Sequence, residues 1–473
     1  MSDMSDMNDM PEPSNESIPD FIQLQQIPVN YIQQVETDLL EPVVFTQGSA
    51  TNTGFTRFTL QNKGFLHSHS KIFMSIVPES TNSDVYFAPQ IGIGQVIKKA
   101  VLKVGNKILN ELDSWNSLYA VKSSLITNES NIDRELATTG RWLNHKFVYN
   151  TDSEVFASNI GLNTEVEPEA NKLFLPDWAT MDANKPAECP TYMIDLSDLF
   201  PFLKVHQLPL YMINEPINIE LTFEPTTKFR TQIGTSDTVD IAMNIDRNEL
   251  KFCADYIFYG ASDEMERYAN ANKDMSFSFV DYRLTEHTTS QTDLASGVIR
   301  NLGMANRLVS RIITTIGADA STVNEQSILG QHNSLSPFVA ADGTSGVVKY
   351  NIRYNDRFEY TSDVDNTARL FSILADSEGV PFLARAEYSN EGVAGSITNT
   401  ESYDGRDQSV NLEGQLFYLG SRLTNGRVGQ RGIELFLSGS FNPSGRVPNI
   451  IKSYCEYMRV ARLTDGFMEI FNA

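Results

Sequence analysis

The chain has 473 residues, of which 41% are hydrophobic and 10% aromatic, and its formal net charge is −23. A single hydrophobic core stops growing at about 250–300 residues, so a chain of this length is expected to form two domains. Binding to nucleic-acid phosphates depends on Lys and Arg, so this acidic balance argues against tight direct nucleic-acid binding.

Residues 1–28 are predicted to form an N-terminal arm outside any core. They repeat a small-acid-Met pattern and then become rich in proline, and a segment so acidic and poorly hydrophobic cannot offset its own ordering entropy. The arm lacks the basic and apolar regions of a secretory signal. No run approaches about 18 apolar residues, so we expect no transmembrane segment.

The three cysteines are far apart and odd in number, which indicates free thiols in a reducing compartment and no disulfide framework; they are Cys189, Cys253 and Cys455.

Strand patterns begin soon after the arm. Residues 56–60 alternate in polarity, and residues 71–77 form a largely apolar run. Residues 101–104 and 107–109 flank a Gly-Asn pair, which is a weaker hairpin signal than Asn-Gly. We therefore expect antiparallel β-structure throughout this region.

One segment has helical spacing, and we expect it to lie on the β-structure as a lid; its apolar residues are Leu112, Trp115, Leu118, Tyr119 and Leu125. Residues 150–190 are acidic and contain four prolines, which cannot donate to a central ladder. They are predicted to form a long exposed insertion between strands.

The clearest strand covers residues 216–224. Ile217, Ile219, Leu221 and Phe223 share one face, and polar residues occupy the other. A period of two over eight residues predicts one buried and one wet face. A slip of one residue would expose all four apolar side chains, so the register should be well defined.

A domain boundary is predicted near Gly260. Residues 250–259 form a strand pattern, and the acidic segment that follows Ser262 suits a short capped helix. The expected division is an arm at 1–28, a first domain at 29–260, a helical linker at 261–274 and a second domain at 275–473.

The second half repeats the strand-rich style, with strand patterns at 309–316, 415–419, 432–437 and 457–463. The Asn425-Gly426 pair predicts a hairpin between the second and third of these. Long polar loops are expected at 317–346 and 388–411. Strands separated by polar loops, with few helices, indicate a sandwich or barrel.

The boundary resembles the interdomain joint of double jelly-roll major capsid proteins of large DNA viruses, virophages and Polinton-like viruses. The resemblance lies in residues 254–259 and the acidic segment 263–269, and three other pieces follow the same order. These pieces are 194–200, leading through 208–210 to the strand at 216–224; 356–358 with 368–371; and the Pro-Ser-Gly turn at 441–445. The compact chain and weakly basic joint favour the virophage or Polinton-like type.

This resemblance implies an all-β fold of two tandem eight-stranded antiparallel jelly rolls, with short helices in loops. It implies a non-enzymatic major capsid protein whose homotrimers form pseudo-hexameric capsomers of an icosahedral double-stranded DNA virus. The implied partners are neighbouring capsomers, penton proteins and minor capsid proteins. The implied location is the virion capsid, which is made and assembled inside the host cell.

No catalytic signature is present, and we predict no catalytic residue, no cofactor and no metal site. His67-Ser-His69 would place two imidazoles on one strand face but lacks a third ligand. Asp363-Val-Asp365 fits a solvated loop better than a calcium site. Gly92-Ile-Gly94 lacks the third glycine of a nucleotide-binding loop.

Two alternatives remain at this point. Jelly rolls also serve as lectins, so Trp115, Trp142 and Trp178 could form the platform of a carbohydrate-binding or carbohydrate-active β-sandwich protein. A pentameric vertex protein with one jelly roll is disfavoured by the length. A further hypothesis places the acidic arm, or an acidic neighbouring molecule, against the basic stretch 422–462.

Overall fold

The computed structural model describes residues 32–78, 92–126, 132–140, 146–148, 191–226, 243–259, 274–317, 346–365, 369, 372–373, 409–411, 418–423, 427–440 and 450–472. The predicted arm, the 150–190 insertion, the 262–270 helix and the 441–445 turn lie outside these residues. So does nearly all of the two predicted polar loops at 317–346 and 388–411.

The first half is built from short strands with alternating side chains. They are β1 (Ile32–Leu40), β2 (Val44–Thr46), β3 (Gly54–Leu60), β4 (Phe65–Leu66), β5 (Lys71–Pro78), β6 (Ile97–Val104), β7 (Lys107–Asp113), β8 (Lys146–Val148), β9 (Thr191–Asp195), β10 (Leu208–Pro209), β11 (Ile217–Phe223), β12 (Met243–Ile245) and β13 (Lys251–Tyr259). One sheet contains the path β1-β13-β5-β9, and a second contains β3-β11-β6-β7.

Strand β11 confirms the period-two prediction. Ile217, Ile219, Leu221 and Phe223 are all fully buried, and the intervening residues are partly exposed. The strand pairs with β3 on one side and β6 on the other, so it is central in its sheet. The β6–β7 hairpin also forms as predicted, and Gly105 in its turn has φ +59°.

The second half has the same construction. Its strands are β14 (Asp274–Thr288), β15 (Val298–Gly303), β16 (Val309–Gly317), β17 (Gly346–Tyr354), β18 (Arg357–Phe358), β19 (Ser409–Asn411), β20 (Tyr418–Arg422), β21 (Ile433–Ser440), β22 (Ile450–Thr464) and β23 (Phe467–Asn472). One sheet follows β14-β22-β16-β20, with β23 added beside β22, and the other follows β15-β21-β17-β18.

Both halves share one strand order. Eight strands of each half form its sandwich; in chain order they are β1, β3, β5, β6, β7, β9, β11 and β13 in the first half, and β14, β15, β16, β17, β18, β20, β21 and β22 in the second. In each half, one sheet contains the first, eighth, third and sixth of these strands, and the other sheet contains the second, seventh, fourth and fifth. All the pairings within these sheets are antiparallel. This is the arrangement of an eight-stranded jelly roll. The expected fold of two tandem jelly rolls is therefore confirmed.

Short helices connect the strands: α1 (Trp115–Ile126), α2 (Ile132–Thr139), α3 (Leu196–Leu199), α4 (Phe202–Val205) and α5 (Gln291–Ser296). The predicted lid helix begins at Trp115. Leu112, the first residue of the helical pattern in the sequence, belongs instead to β7. The segment 194–200, which resembled late strands, is strand only to Asp195 and helical from Leu196 to Leu199.

The hairpin predicted at Asn425-Gly426 is wrong. Its flanking strands, β20 and β21, lie in different sheets, where β20 pairs with β16 and β21 pairs with β15 and β17. The chain crosses between the two sheets of the sandwich here instead of reversing within one. Residues 424–426 themselves lie outside the described part of the chain.

Candidate functional site

The two jelly rolls meet at a joint that contains buried charges. Tyr282 of β14 and Glu456 of β22 are paired across the sheet. The Tyr282 hydroxyl donates to the Glu456 carboxylate, which also accepts from Arg311 Nε at 3.1 Å and from Ser310 Oγ at 2.7 Å. Lys122 of α1 donates to the Tyr282 hydroxyl and stands 4.5 Å from the ring centroid. The first half therefore contributes a cation to a network of the second.

A second polar cluster lies beside the first. Asp281 of β14 accepts from Arg459 Nη1 of β22 at 2.7 Å, and its other oxygen accepts from Asn110 Nδ2 of β7 at 3.1 Å. The same guanidinium donates to the carbonyl oxygen of Leu109 at 3.0 Å. Each group of the ion pair thus also binds the first half, which fixes the relative position of β7 and β14.

Burial and neighbouring charges oppose each other in these clusters. Burial raises the pKa of Asp281, and Arg459 and Asn110 offset only part of that effect. For Glu456, burial alone would raise the pKa, but Arg311 and Lys122 outweigh it and hold the pKa below its ordinary value. Burial, and then the Glu456 carboxylate, raise the pKa of Tyr282 well above its ordinary value, so the phenol stays a hydrogen-bond donor.

An aromatic cluster closes another part of the joint. Phe202 of α4 lies 5.4 Å from the ring centroids of both Phe277 and Phe279 of β14. His206 lies 5.5 Å from Phe277, and its Nε2 donates to the Ser278 carbonyl oxygen at 2.8 Å. Burial lowers the pKa of His206, so its neutral form is favoured in this setting.

The β22–β23 turn docks on the first half through hydrogen bonds to Asn214 and Glu215. The backbone amide of Asn214 donates to the Gly466 carbonyl oxygen at 2.9 Å. Glu215 accepts from the Met468 amide at 3.1 Å and from Lys107 Nζ at 3.5 Å. Gly466 has φ +84°, and a Cβ there would lie 2.2 Å from Asn214 Nδ2.

An open cleft of about 980 Å³ borders the joint. Its lining mixes cations with carboxylates, among them Lys122, Arg134 and Arg311 against Asp195 and Glu456. Among the described residues, no group of three or more His, Cys, Asp or Glu side chains could hold a metal ion.

The residues that the sequence offered as candidate ligands make contacts within the fold itself. His67 and His69 lie in the turn between β4 and β5 and not on a strand face, so the strand-face prediction was wrong; the His69 amide donates to His67 Nδ1 at 3.0 Å. Asp363 accepts from Asn351 Nδ2 at 2.9 Å. The Gly92-Ile-Gly94 segment begins a buried 3₁₀ helix, Gly92–Val96.

Trp115 is 1% exposed, stacks on Tyr119 at 4.5 Å, and donates from its indole nitrogen to the Asp198 carbonyl oxygen at 3.0 Å. It therefore anchors α1 and cannot form a sugar-binding platform. Trp142 and Trp178 lie outside the described residues, as does Cys189. Cys253 and Cys455 are free thiols.

The described arginines of the basic stretch 422–462 have different surroundings. Arg459 is held in the joint, whereas Arg431 and Arg462 each form an exposed ion pair with an aspartate. The hypothesis that the acidic arm covers this stretch stays a prediction, because residues 1–31 lie outside the described part.

Large apolar side chains are exposed at several places on the described surface. Val35 and Leu39 lie on β1, Ile299 and Phe358 lie on the second sheet of the second half, and Phe467 and Phe471 lie on β23; Val43 is exposed just after β1. Neither the ordering of the sequence motifs nor the strand patterns indicated these surfaces. No described helix is long and apolar enough to span a membrane.

The chain has the fold of the double jelly-roll capsid proteins. No protein-family model and no curated protein matches the sequence. Among solved structures, a Sputnik virophage structure has a TM-score of 0.60 at 10% identity, covering 98% of this chain and 92% of that one. The Faustovirus major capsid protein has a TM-score of 0.51 at 9% identity, with coverage of 94% and 93%. The mavirus major capsid protein has 0.50 at 8%, with coverage of 100% and 96%.

Proposed function

We propose that this protein is a major capsid protein, three copies of which form a pseudo-hexameric capsomer of an icosahedral double-stranded DNA virus shell. The support is the likeness in fold to the mavirus and Faustovirus major capsid proteins over more than nine-tenths of each chain. The protein acts as a structural tile, and not as an enzyme. Its place is the virion, assembled inside the host cell, beside other capsomers, penton proteins and minor capsid proteins.

The observation that carries this proposal is the joint between the jelly rolls. The Asp281–Arg459 ion pair has side chains only 5% and 17% exposed, and both partners also bond to β7 of the first half. Separating the halves would break the hydrogen bonds that join this pair to Asn110 and to the Leu109 carbonyl oxygen. Two jelly rolls held in one fixed arrangement are what a trimer needs to present six similar domains in a ring.

The proposal includes the division of the chain. We place an arm at 1–28, the first jelly roll at 29–260, a linker at 261–274 and the second jelly roll at 275–473. The end of β13 at Tyr259 and the start of β14 at Asp274 support the central boundary to within one residue on each side.

Native mass spectrometry of the purified full chain tests the oligomeric state. The expected species has three times the chain mass of 52.9 kDa, with a pseudo-hexagonal outline in negative stain. A chain that stays monomeric up to high concentration, and is absent from virions, would overturn the proposal.

The carbohydrate-binding alternative predicts a monomer or dimer with measurable glycan affinity. The buried position of Trp115 removes one of its three proposed platform residues. A glycan-array measurement on the same sample separates the two functions, since a capsid tile needs no sugar affinity for its own assembly.

A further inference from the structure

The cleft that borders the joint is rich in cations, although the chain as a whole is acidic. Its cationic side chains are Lys71, Lys122, Arg134, Lys204 and Arg311, and its carboxylates are those of Asp195, Asp198 and Glu456. Five cations against three carboxylates give the cleft an excess of positive charge, whereas the whole chain has a net charge of −23. A cleft lined by an excess of one charge attracts a group of the opposite charge.

Two of these cations are open to a further partner. Lys204 already lies 3.5 Å from the Asp198 carboxylate. Lys71 is partly exposed and Arg134 is exposed, and neither forms an ion pair with another residue in the described part of the chain. These two side chains provide the positive charge that an acidic ligand would meet.

The wall between the charges is partly apolar. Tyr119, Met193, Pro201 and Val280 line the cleft, and each is partly exposed. The volume of about 980 Å³ is at the upper end of the range of ligand pockets, about 300–1,000 Å³. A ligand that fits this cleft therefore presents both carboxylates and apolar groups along its length.

The N-terminal arm has this combination of groups. Residues 1–20 contain six acidic side chains and no Lys or Arg. Within residues 1–10, Met recurs at positions 1, 4, 7 and 10 and Asp at positions 3, 6 and 9. An extended polyproline II segment has three residues per turn, so this period would place the carboxylates on one edge and the thioethers on another. Met side chains adapt readily to an irregular apolar wall.

The arm also joins the described chain close to the cleft. Ile32, the first residue of β1, pairs with Tyr259. The Tyr259 hydroxyl donates to Gln207 Oε1 at 2.5 Å, and Gln207 is three positions after Lys204 of the cleft. Residues 21–31 carry no charged side chain and can span up to about 35 Å when extended. The acidic part of the arm can therefore reach the cleft of its own chain.

We propose that residues 1–10 dock in this cleft of the same chain, with their carboxylates towards Lys71 and Arg134 and their Met side chains against the apolar wall. A short tether gives the arm an effective concentration in the millimolar range, which favours its own cleft over that of another copy. Tyr282 and Arg311 of the second half also line the cleft, so the docked arm covers the boundary between the jelly rolls. The inference does not depend on the proposed function, because both surfaces belong to one chain.

The basic stretch 422–462 is the competing position for the arm. Two of its exposed arginines already have carboxylate partners, Arg431 with Asp356 and Arg462 with Asp274, both at 2.7 Å. An arm that docked there would have to displace these carboxylates. The cleft requires no such exchange at Lys71 and Arg134.

Photocrosslinking of the full chain tests the position. A benzoylphenylalanine residue that replaces Met7, in a mixture of ¹⁴N-labelled and ¹⁵N-labelled copies, is expected to give adducts on α1, α2 or residues 191–204 of the same copy. Mixed-label adducts, or adducts confined to other parts of the chain, would overturn the inference. The absence of any adduct would overturn it as well.

Two pairs of substitutions separate the cleft from the basic stretch. Lys71→Gln with Arg134→Gln should lower the yield of these adducts by about fivefold, because two partly exposed ion pairs are lost. Arg431→Gln with Arg462→Gln removes the same charge from the basic stretch and should leave the yield unchanged. Far-ultraviolet circular dichroism confirms that both variants fold, and equal yields in the two variants would contradict the assigned contact.

A charge reversal tests whether the carboxylates of the arm carry the attraction. Changing Asp3, Asp6 and Asp9 together to Lys should abolish the adducts, and adding Lys71→Glu with Arg134→Glu should restore them. Raising the ionic strength to 1 M, where the screening length is about 3 Å, should weaken docking of the unmodified arm. A failure of the second reversal to restore the adducts would contradict the pairing. None of these results affects the trimer expected of a capsid protein, which native mass spectrometry measures separately.

Discussion

Asp281 and Arg459 form an ion pair of 2.7 Å that belongs to the second jelly roll by sequence and to both jelly rolls by contact. They lie on neighbouring strands, β14 and β22, and face β7 of the first half. Because both side chains are largely buried, neither can be rehydrated without separating the halves. This pair therefore links the stability of each jelly roll to the joint between them.

Arg459→Met is expected to destabilise the chain by about 3–5 kcal/mol, because Asp281 would stay buried without its cation. Urea unfolding followed by intrinsic fluorescence measures the shift in midpoint. Arg462→Met is the control, since the Arg462–Asp274 pair is exposed and its loss should leave the midpoint unchanged. Equal midpoints for the two variants would contradict the assigned role of the buried pair.

The stability of the protein should depend on His206 below neutral pH. Burial lowers the pKa of this imidazole, so the unfolded chain takes up its proton first as the pH falls below the ordinary value near 6.5. The contribution is complete above that pH and is lost as the pH falls towards the lowered pKa.

The test of this dependence is His206→Gln, which keeps a donor for the Ser278 carbonyl oxygen but cannot titrate. As the pH falls below the ordinary imidazole value near 6.5, the unfolding midpoint of the variant should fall less steeply than that of the unmodified chain. Parallel slopes would show that His206 does not contribute.

Gly466→Ala should loosen the docked β22–β23 turn, because the new Cβ would lie 2.2 Å from Asn214 Nδ2. Gly303→Ala is the matched control: its φ is also positive, at +72°, but no atom lies within 4 Å of the place that its new Cβ would occupy. Both variants bear backbone strain of about 1–3 kcal/mol, and only the first adds a clash.

Hydrogen exchange at the Met468 amide, which donates to Glu215, reports on that docking. Exchange should accelerate in Gly466→Ala and stay unchanged in Gly303→Ala. Equal acceleration in both variants would show that backbone strain alone is responsible.

Association between capsomers should strengthen with salt, because each chain has a net charge of −23. Raising the ionic strength from about 0.01 to 1 M shortens the screening length from about 30 to 3 Å. Light scattering of the purified trimer across this range measures association. Weaker association at high salt would indicate that attractive ion pairs dominate the contacts between trimers.

Much of the secondary structure could be predicted from local patterns. The alternation from Ile217 to Phe223 determined both the strand and its buried face, because side-chain direction alternates along any extended backbone. The hairpin at Gly105 was predictable from the Gly-Asn pair between two neighbouring strand patterns. The Asn425-Gly426 hairpin was not, since turn chemistry carries no information on which sheet each flanking strand joins.

The residues that form the joint could be identified only from the tertiary structure. Asp281 and Arg459 are 178 positions apart, and Tyr282 meets Lys122 across 160. Nothing in the local sequence marks these residues as partners. The order of strands in the two sheets likewise arises from long-range pairing.

The sequence by itself therefore determined the β-rich composition of both halves and the buried face of the central strand β11, and its length predicted two domains. Only the folded chain decided which strands are neighbours, which charges are buried, and which apolar faces remain exposed. The physical reason is that alternation is a property of one strand, whereas burial is a property of all the elements that pack around it.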